Sequence, residues 1–248
     1  MDANTRTRLL SAVGIIAILG GLAFAGFRIF DRVESKVGGW LNPRPNASDT
    51  FAADDESRAV ALATSEDLSG FTRISAEGGW KITIIPGEYA VSVSASERDE
   101  DDVRVSRRGD ALHLWFAPGM RSSSESPEAR ISVPDLSRID IDGGAQVRLT
   151  GMEISSLEIR VNGAATVTGI DARIEELHVD VDGAANVDFS SAEVVNASVE
   201  LDGASNLSIT MAGGSLTGVL RGVGNVTYGG DISREAIRID GLGRVRRR

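Results

Sequence analysis

The stretch "VDVDGAANVDF", Val179 to Phe189, decides the fold because the chain repeats it. It returns as "VELDGASNLSI" from Val199. It is preceded by "IRVNGAATVTG" from Ile159 and "IDIDGGAQVRL" from Ile139. Aligned on the residue before the glycine, the units fall at Asp142, Asn162, Asp182, Asp202, Arg221 and Asp240, at intervals of 20, 20, 20, 19 and 19. A nearly constant period over that many units is the signature of a stacked repeat.

Inside each unit the apolar residues alternate. Leu157, Ile159 and Val161 point one way, while Glu158, Arg160 and Asn162 point the other. Leu177, Val179 and Val181 repeat this against His178, Asp180 and Asp182. A second alternating run follows the turn: Val147 and Leu149, Val187 and Phe189, Leu207 and Ile209, Val226 and Tyr228. Period two over short runs is a strand pattern. Each rung therefore reads as two short strands joined by a "D-G-A-x-N" corner. Gly143, Gly163, Gly183, Gly203, Gly222 and Gly241 occupy the corner, where a sharp bend favours φ > 0. The neighbouring alanine is expected to be small because stacked rungs leave a narrow corner. Asn186, Asn206 and Asn225 share one offset, so their side-chain amides are expected to bond from rung to rung as a structural ladder. The predicted fold class is all-β: a right-handed parallel β-helix, or solenoid, with rungs of 19 to 20 residues from about residue 137. A leucine-rich repeat is the competing architecture. It fits Ile154, Leu157, Ile159 and Asn162 but expects a large apolar residue where Ala164, Ala184 and Ala204 stand.

Between Phe71 and the repeat lie "WKITII", "YAVSVSA", "VRVS", "ALHLWF" and "ARISV", separated by turn-forming stretches. They read as five further strands and hold most of the aromatic residues outside the N-terminus, so they are expected to fill the wide end of the core.

The N-terminus is of another kind. Leu9 to Phe27 runs for 19 residues without a charge, behind Arg6 and Arg8. That length can span a bilayer as a helix. The preferred reading is an uncleaved signal anchor over residues 1–36, with the membrane as its partner through residues 9–27. The alternative is a signal peptide cleaved after Ala25, at Ala23-Phe24-Ala25, followed by secretion. Both send the remainder across the cytoplasmic membrane. Residues 37–70 contain Pro43, Pro45 and an acidic run and read as a flexible spacer. The domain is placed at 71–248.

Composition narrows function. The net charge of -10 argues against nucleic acid, which requires a basic footprint. With no cysteine there is no disulfide, thiolate metal site or cysteine nucleophile. His113 and His178, the only histidines, match neither a metal spacing nor a catalytic triad. Asp180, Asp182, Glu200 and Asp202 should form an outward acidic patch on neighbouring rungs. Such a patch suits Ca²⁺ or a polysaccharide-acting enzyme, but it equally keeps sheets from stacking. Arg108-Gly109-Asp110 reads as a turn before it reads as an attachment tripeptide. The sequons at Asn46, Asn196, Asn206 and Asn225 follow from rung composition. The closing arginines, Arg244, Arg246, Arg247 and Arg248, are expected to block end-to-end stacking. Attraction to anionic lipid or lipopolysaccharide is the alternative.

The ordered series "DIDGGAQVRLTG", "VNGAATVTG", "VDGAANVDF", "LDGASNLSI", "GVGNVTYGGD" and "DGLGRVRR", with "ISAEGGWKITIIPGEYAVSVSA" and "ISVPDLSRIDIDG" before it, resembles the head GIN domain family of bacterial auto-transporter adhesins over about residues 71–248. The resemblance implies a β-solenoid presented in the bacterial cell envelope or on the surface, and it implies no known ligand; envelope glycans or surface proteins are the expected partners. It carries over no catalytic residues, metal or cofactor. The expected function is thus a non-catalytic, membrane-tethered adhesin or envelope-interaction module with a periplasmic domain. A polysaccharide-acting β-helix enzyme and an envelope sensor or scaffold are the alternatives.

Overall fold

The computed structural model describes residues 68–96, 99–118 and 126–248. The N-terminal anchor and most of the spacer expected from the sequence lie outside the described residues. Within them all helix and strand structure is strand: β1 (Arg73–Pro86), β2 (Ala90–Ser94), β3 (Val103–Arg108), β4 (Ala111–Phe116), β5 (Glu128–Val133), β6 (Arg138–Thr150), β7 (Glu153–Ala212), β8 (Ser215–Asp231) and β9 (Arg234–Arg247).

The repeat period reappears as pairing register. β6 lies parallel to β7 with Asp142 opposite Asn162 and Gly143 opposite Gly163. β7 lies parallel to β8 with Asp202 opposite Arg221. β8 lies parallel to β9 with Arg221 opposite Asp240. Equivalent residues of successive repeats therefore sit side by side, so each surface property forms a column. The apolar positions identified in sequence are the buried ones. Ile159, Val179, Val199, Val167, Val187, Phe189 and Ile209 are inaccessible or nearly so and belong to one continuous cluster. Burying aliphatic side chains of this size contributes roughly 1.5–3 kcal/mol each.

Two expectations are corrected. First, a rung does not contain two strands alone. After the second run the chain adds a third segment, in strand conformation from Glu153 onward, burying Met152 and Ile154, Ala172 and Ile174, then Ala192 and Val194. Backbone bonds link these segments, with Gly151 N–H donating to Ile170 O at 2.9 Å and Arg173 N–H to Met152 O at 2.8 Å. Third-run residues are small or interrupted by acids, so their alternation is faint in sequence. The bend before this segment is tight: Gly151 has φ +69 and Asp171 has φ +50, the one non-glycine residue with positive φ among the described residues. Aspartate tolerates that region better than most residues.

Second, the repeat does not begin near residue 137. β1 is itself a rung, parallel to β6, with Glu77 opposite Asp142, Gly78 opposite Gly143 and Lys81 opposite Gln146. Its "EGGWK" is a variant of the corner motif. On its other edge β1 pairs with β4 at Arg73–Ala76 and with β5 at Lys81–Pro86. β4 and β5 thus act as a broken rung beyond β1. β3 and β2 lie antiparallel on them and close that end. The aromatic residues gather there as expected. Trp80 and Phe116 have ring centroids 5.2 Å apart, as do Phe71 and Tyr89.

The corner glycines have two jobs. Gly143, Gly163, Gly183, Gly203 and Gly222 all have φ between +111 and +138. A Cβ on any of the last four would also fall on the carbonyl oxygen of the glycine one rung before it. The column is therefore glycine for both conformation and stacking.

Candidate functional site

The corner places a line of small residues on the outside of the stack. Gly79, Gly144, Ala164, Ala184 and Ala204 occupy one column in successive rungs. Ala164, Ala184 and Ala204 are exposed, while the next residue in each rung is buried. This corrects the expectation that the first alanine is small because packing demands it. The stacking constraint falls on the glycine. The alanine column is free to vary, and in the last two rungs it becomes Val223 and Leu242.

Because these side chains are short, the column is the floor of a trough of about 510 Å³. Gln146, Thr166 and Asn186 form one side, and Trp80 and Ser126 lie among the lining residues at the β1 end. From Gly79 to Leu242 there are six rung steps, roughly 29 Å at the usual strand spacing. The side formed by polar residues continues beyond the trough as bonded side chains. Asn225 Nδ2 donates to Asn206 Oδ1 at 3.1 Å, and Arg244 Nε donates to Asn225 Oδ1 at 3.3 Å. Asn186 lines the trough itself. A floor of methyl groups beside a row of amide and hydroxyl groups suits a long, narrow ligand with hydrogen-bonding groups along one edge.

The face preceding the corner is charged. Arg138 lies 2.8 Å from Asp140 and 3.3 Å from Glu158, Arg160 pairs with Glu158 at 2.6 Å, and Arg73 bridges Asp140 and Asp110 at 3.7 and 3.6 Å. This line of alternating sign crosses three rungs, from β1 through β6 into β7. Arg138, Asp140 and Glu158 are 21, 29 and 26% exposed, so their charges are only partly screened. Replacing Arg138 with methionine is expected to cost about 1 kcal/mol, and less at high salt. Urea unfolding at two ionic strengths measures both.

The predicted acidic patch lies further along. Asp202 accepts from Arg221 at 3.2 Å, and Glu200 stands 3.8 Å from the same guanidinium. Two of the patch's four acids thus share one cation. Asp180 and Asp182 sit one repeat earlier, and both are exposed. No group of three or more metal-ligating side chains with metal-binding geometry occurs among the described residues.

The other sequence candidates have local roles. Gly109 has φ +63 in the turn joining β3 to β4. Arg108 stacks 5.6 Å over the Trp115 ring, and Asp110 faces Arg73. The attachment-like tripeptide is therefore a hairpin turn whose charged ends are engaged. His113 lies in β4 and His178 on the charged face of β7, both half-buried. The trough was not singled out in sequence. Its signal was present in the column of Gly and Ala at one offset, which a packing argument had explained away.

The sequence matches the family described as "Putative auto-transporter adhesin, head GIN domain" over residues 70–232. A crystal structure of a "putative adhesin" from Bacteroides fragilis NCTC 9343 superposes with a TM-score of 0.57 at 14% identity, covering 73% of this chain and 94% of that one. A "putative adhesin" from Parabacteroides distasonis ATCC 8503 matches at 14% identity and TM-score 0.44, over 77% and 98% of the two chains. A "putative lipid binding protein" from the same organism matches at 13% and 0.41, over 72% and 93%. The likeness to the first is one of fold, and the other two superpose loosely. No curated protein matches the chain.

Proposed function

The chain belongs to the family of auto-transporter adhesin head GIN domains, and from that premise we propose that it is a non-catalytic adhesion or envelope-interaction module built as a right-handed parallel β-helix. We place its domain at 71–248, outside the cytoplasmic membrane and in the bacterial cell envelope. Residues 1–36 tether it as a single-pass anchor, and residues 37–70 act as spacer. The observation that carries this reading is the continuous register of surface columns. Repeat proteins bind through extended faces because each rung presents the same group at a fixed step.

Here the step joins a methyl floor to a polar edge along the corner trough. That geometry suits a linear envelope glycan, whose sugar faces are apolar and whose rims carry hydroxyls. Asn186, Asn206 and Asn225 are proposed as the structural and recognition edge, and Gly143 to Gly241 as the corner that holds it. The acidic patch of Asp180, Asp182, Glu200 and Asp202 is assigned no catalytic or metal role.

A binding screen of the full-length chain against envelope glycans and surface proteins tests the reading. Replacing Ala184 with arginine puts a long cation on the trough floor. Folding stability is expected to stay within about 0.5 kcal/mol, because the site is exposed. Binding to any ligand found in the screen is expected to fall at least about tenfold, since a side chain occupies the contact volume. Unchanged binding in the folded variant would move the ligand site away from the trough. Hydrolysis of a glycan in the same screen would replace adhesion with catalysis.

A further inference from the structure

The two ends of the described sheet differ. At the β1 end, antiparallel strands β2 and β3 close the sheet. At the other end, β9 pairs with β8 on one edge and is last in the strand order. The surface changes character on the same two rungs. The column that carries glycine or alanine everywhere else holds Val223 and Leu242, side by side in register. They are 56% and 76% exposed, and only three large hydrophobics are exposed among the described residues.

Charge changes with them. Residues 234–248 carry six arginines against Glu235 and Asp240, a net charge of +4 in a chain whose total is -10. Several of these arginines are held in place by uncharged acceptors. Arg244 donates to Asn225 Oδ1, Arg247 donates to Gly230 O at 3.0 Å, and Arg248 donates to Thr210 Oγ1 at 2.8 Å. Such bonds position a guanidinium without neutralising it.

We propose that this corner, Val223 and Leu242 flanked by the arginines of β9, is a docking surface for a bilayer carrying anionic phospholipid headgroups. A protruding aliphatic pair enters the headgroup layer, and guanidiniums take the phosphates, bidentately where geometry allows. Each basic residue near such a surface adds to the attraction, and the effect is salt-sensitive. Two other occupants fit less well. A second copy docking end to end would bring two 234–248 segments of net charge +4 together, which is repulsive. An acidic peptide adding as a further strand needs the backbone donors of β9, and the Glu235 carboxylate already accepts the Ile237 N–H at 3.0 Å. One backbone donor of β9 is thus already engaged, while the rim stays positive.

The chain has no cysteine, so Leu242→Cys can carry a single environment-sensitive dye. The full-length labelled protein is mixed with vesicles of phosphatidylcholine alone, and with vesicles also containing phosphatidylglycerol. A second labelled protein, Asn162→Cys, reports a distant corner. The expected result is a blue shift at position 242 on anionic vesicles only, reversed by salt, with none at position 162. Adding Arg244→Gln and Arg246→Gln should reduce that shift at least about fivefold. These exposed charge changes leave Val223 and the label at position 242 in place, and far-UV circular dichroism verifies folding. A water-like dye on anionic vesicles overturns the proposal. So does a shift of equal size on neutral vesicles or in the folded arginine variant. A shift produced by polyglutamate but not by vesicles also overturns it and identifies an acidic polypeptide as the partner.

Discussion

Replacing Gly183 with alanine is expected to destabilise the folded chain by about 3–5 kcal/mol, lowering its melting temperature by roughly 10 °C. One share comes from the stack. A Cβ at this position falls on the carbonyl oxygen of Gly163, a backbone atom that cannot move without shifting the previous rung. Overlap of that kind costs about 1–3 kcal/mol. The remaining share is conformational, because Gly183 has φ +138, a region other residues avoid at about 1–3 kcal/mol. Gly213 separates the two. It has φ +99, but a Cβ there meets nothing within 4 Å. Gly213→Ala should therefore show the conformational cost alone, about 1–2 kcal/mol. Thermal unfolding followed by circular dichroism measures both variants. Equal losses would mean that the corner needs glycine for its backbone angle and not for close stacking.

Replacing Phe189 with alanine is expected to cost about 3–5 kcal/mol, the usual range for a large aromatic removed from a core. Phe189 is fully buried, and its partner is an absence of side chain. In the same column one rung earlier stands Gly169, where an added Cβ would overlap the Phe189 ring. The two positions share one volume. Gly169→Ala alone should destabilise by about 1–3 kcal/mol through overpacking. In the Phe189→Ala background the same methyl group enters space that the ring has vacated, so the double variant should be more stable than the sum of the singles predicts, by about 1–2 kcal/mol. Urea unfolding of all four proteins closes the cycle. A coupling near zero would show that the rungs relax independently at this site.

Much of the fold was legible because a stacked repeat writes its geometry as a period. The pairs Asp142–Asn162 and Asp202–Arg221, aligned by sequence offset, are neighbours in the sheet. Inward Val179 and Val187 and outward Asp182 came directly from period-two alternation. What stayed hidden did so for identifiable reasons. β1 escaped because its corner lies 65 residues before the next one, so no period connects Gly78 to Gly143. The third segment escaped because Ala172 and Ala192 are weak apolar signals. The trough escaped because Ala184 has two readings, packed or exposed, that composition cannot separate. The arrangement of charges on the outer face depends on rotamers. That Arg221 turns toward Asp202 and Glu200 was not contained in the spacing.

The position of β1 also sets an order of assembly. This strand comes first among the nine yet lies between β4 and β5 on one side and β6 on the other. Its register with β6 joins residues 65 apart in sequence, such as Ile74 and Ile139, whereas each later rung needs only the one before it. Contacts that close long loops form slowly. A chain that emerges N-terminus first from the ribosome or a translocation channel therefore exposes β1 before either of its neighbours exists. The rungs from β6 onward can wind as they arrive, each using the last as template. The first strand out is held in waiting, and the aromatic end of the core closes only when β5 and β6 have passed through.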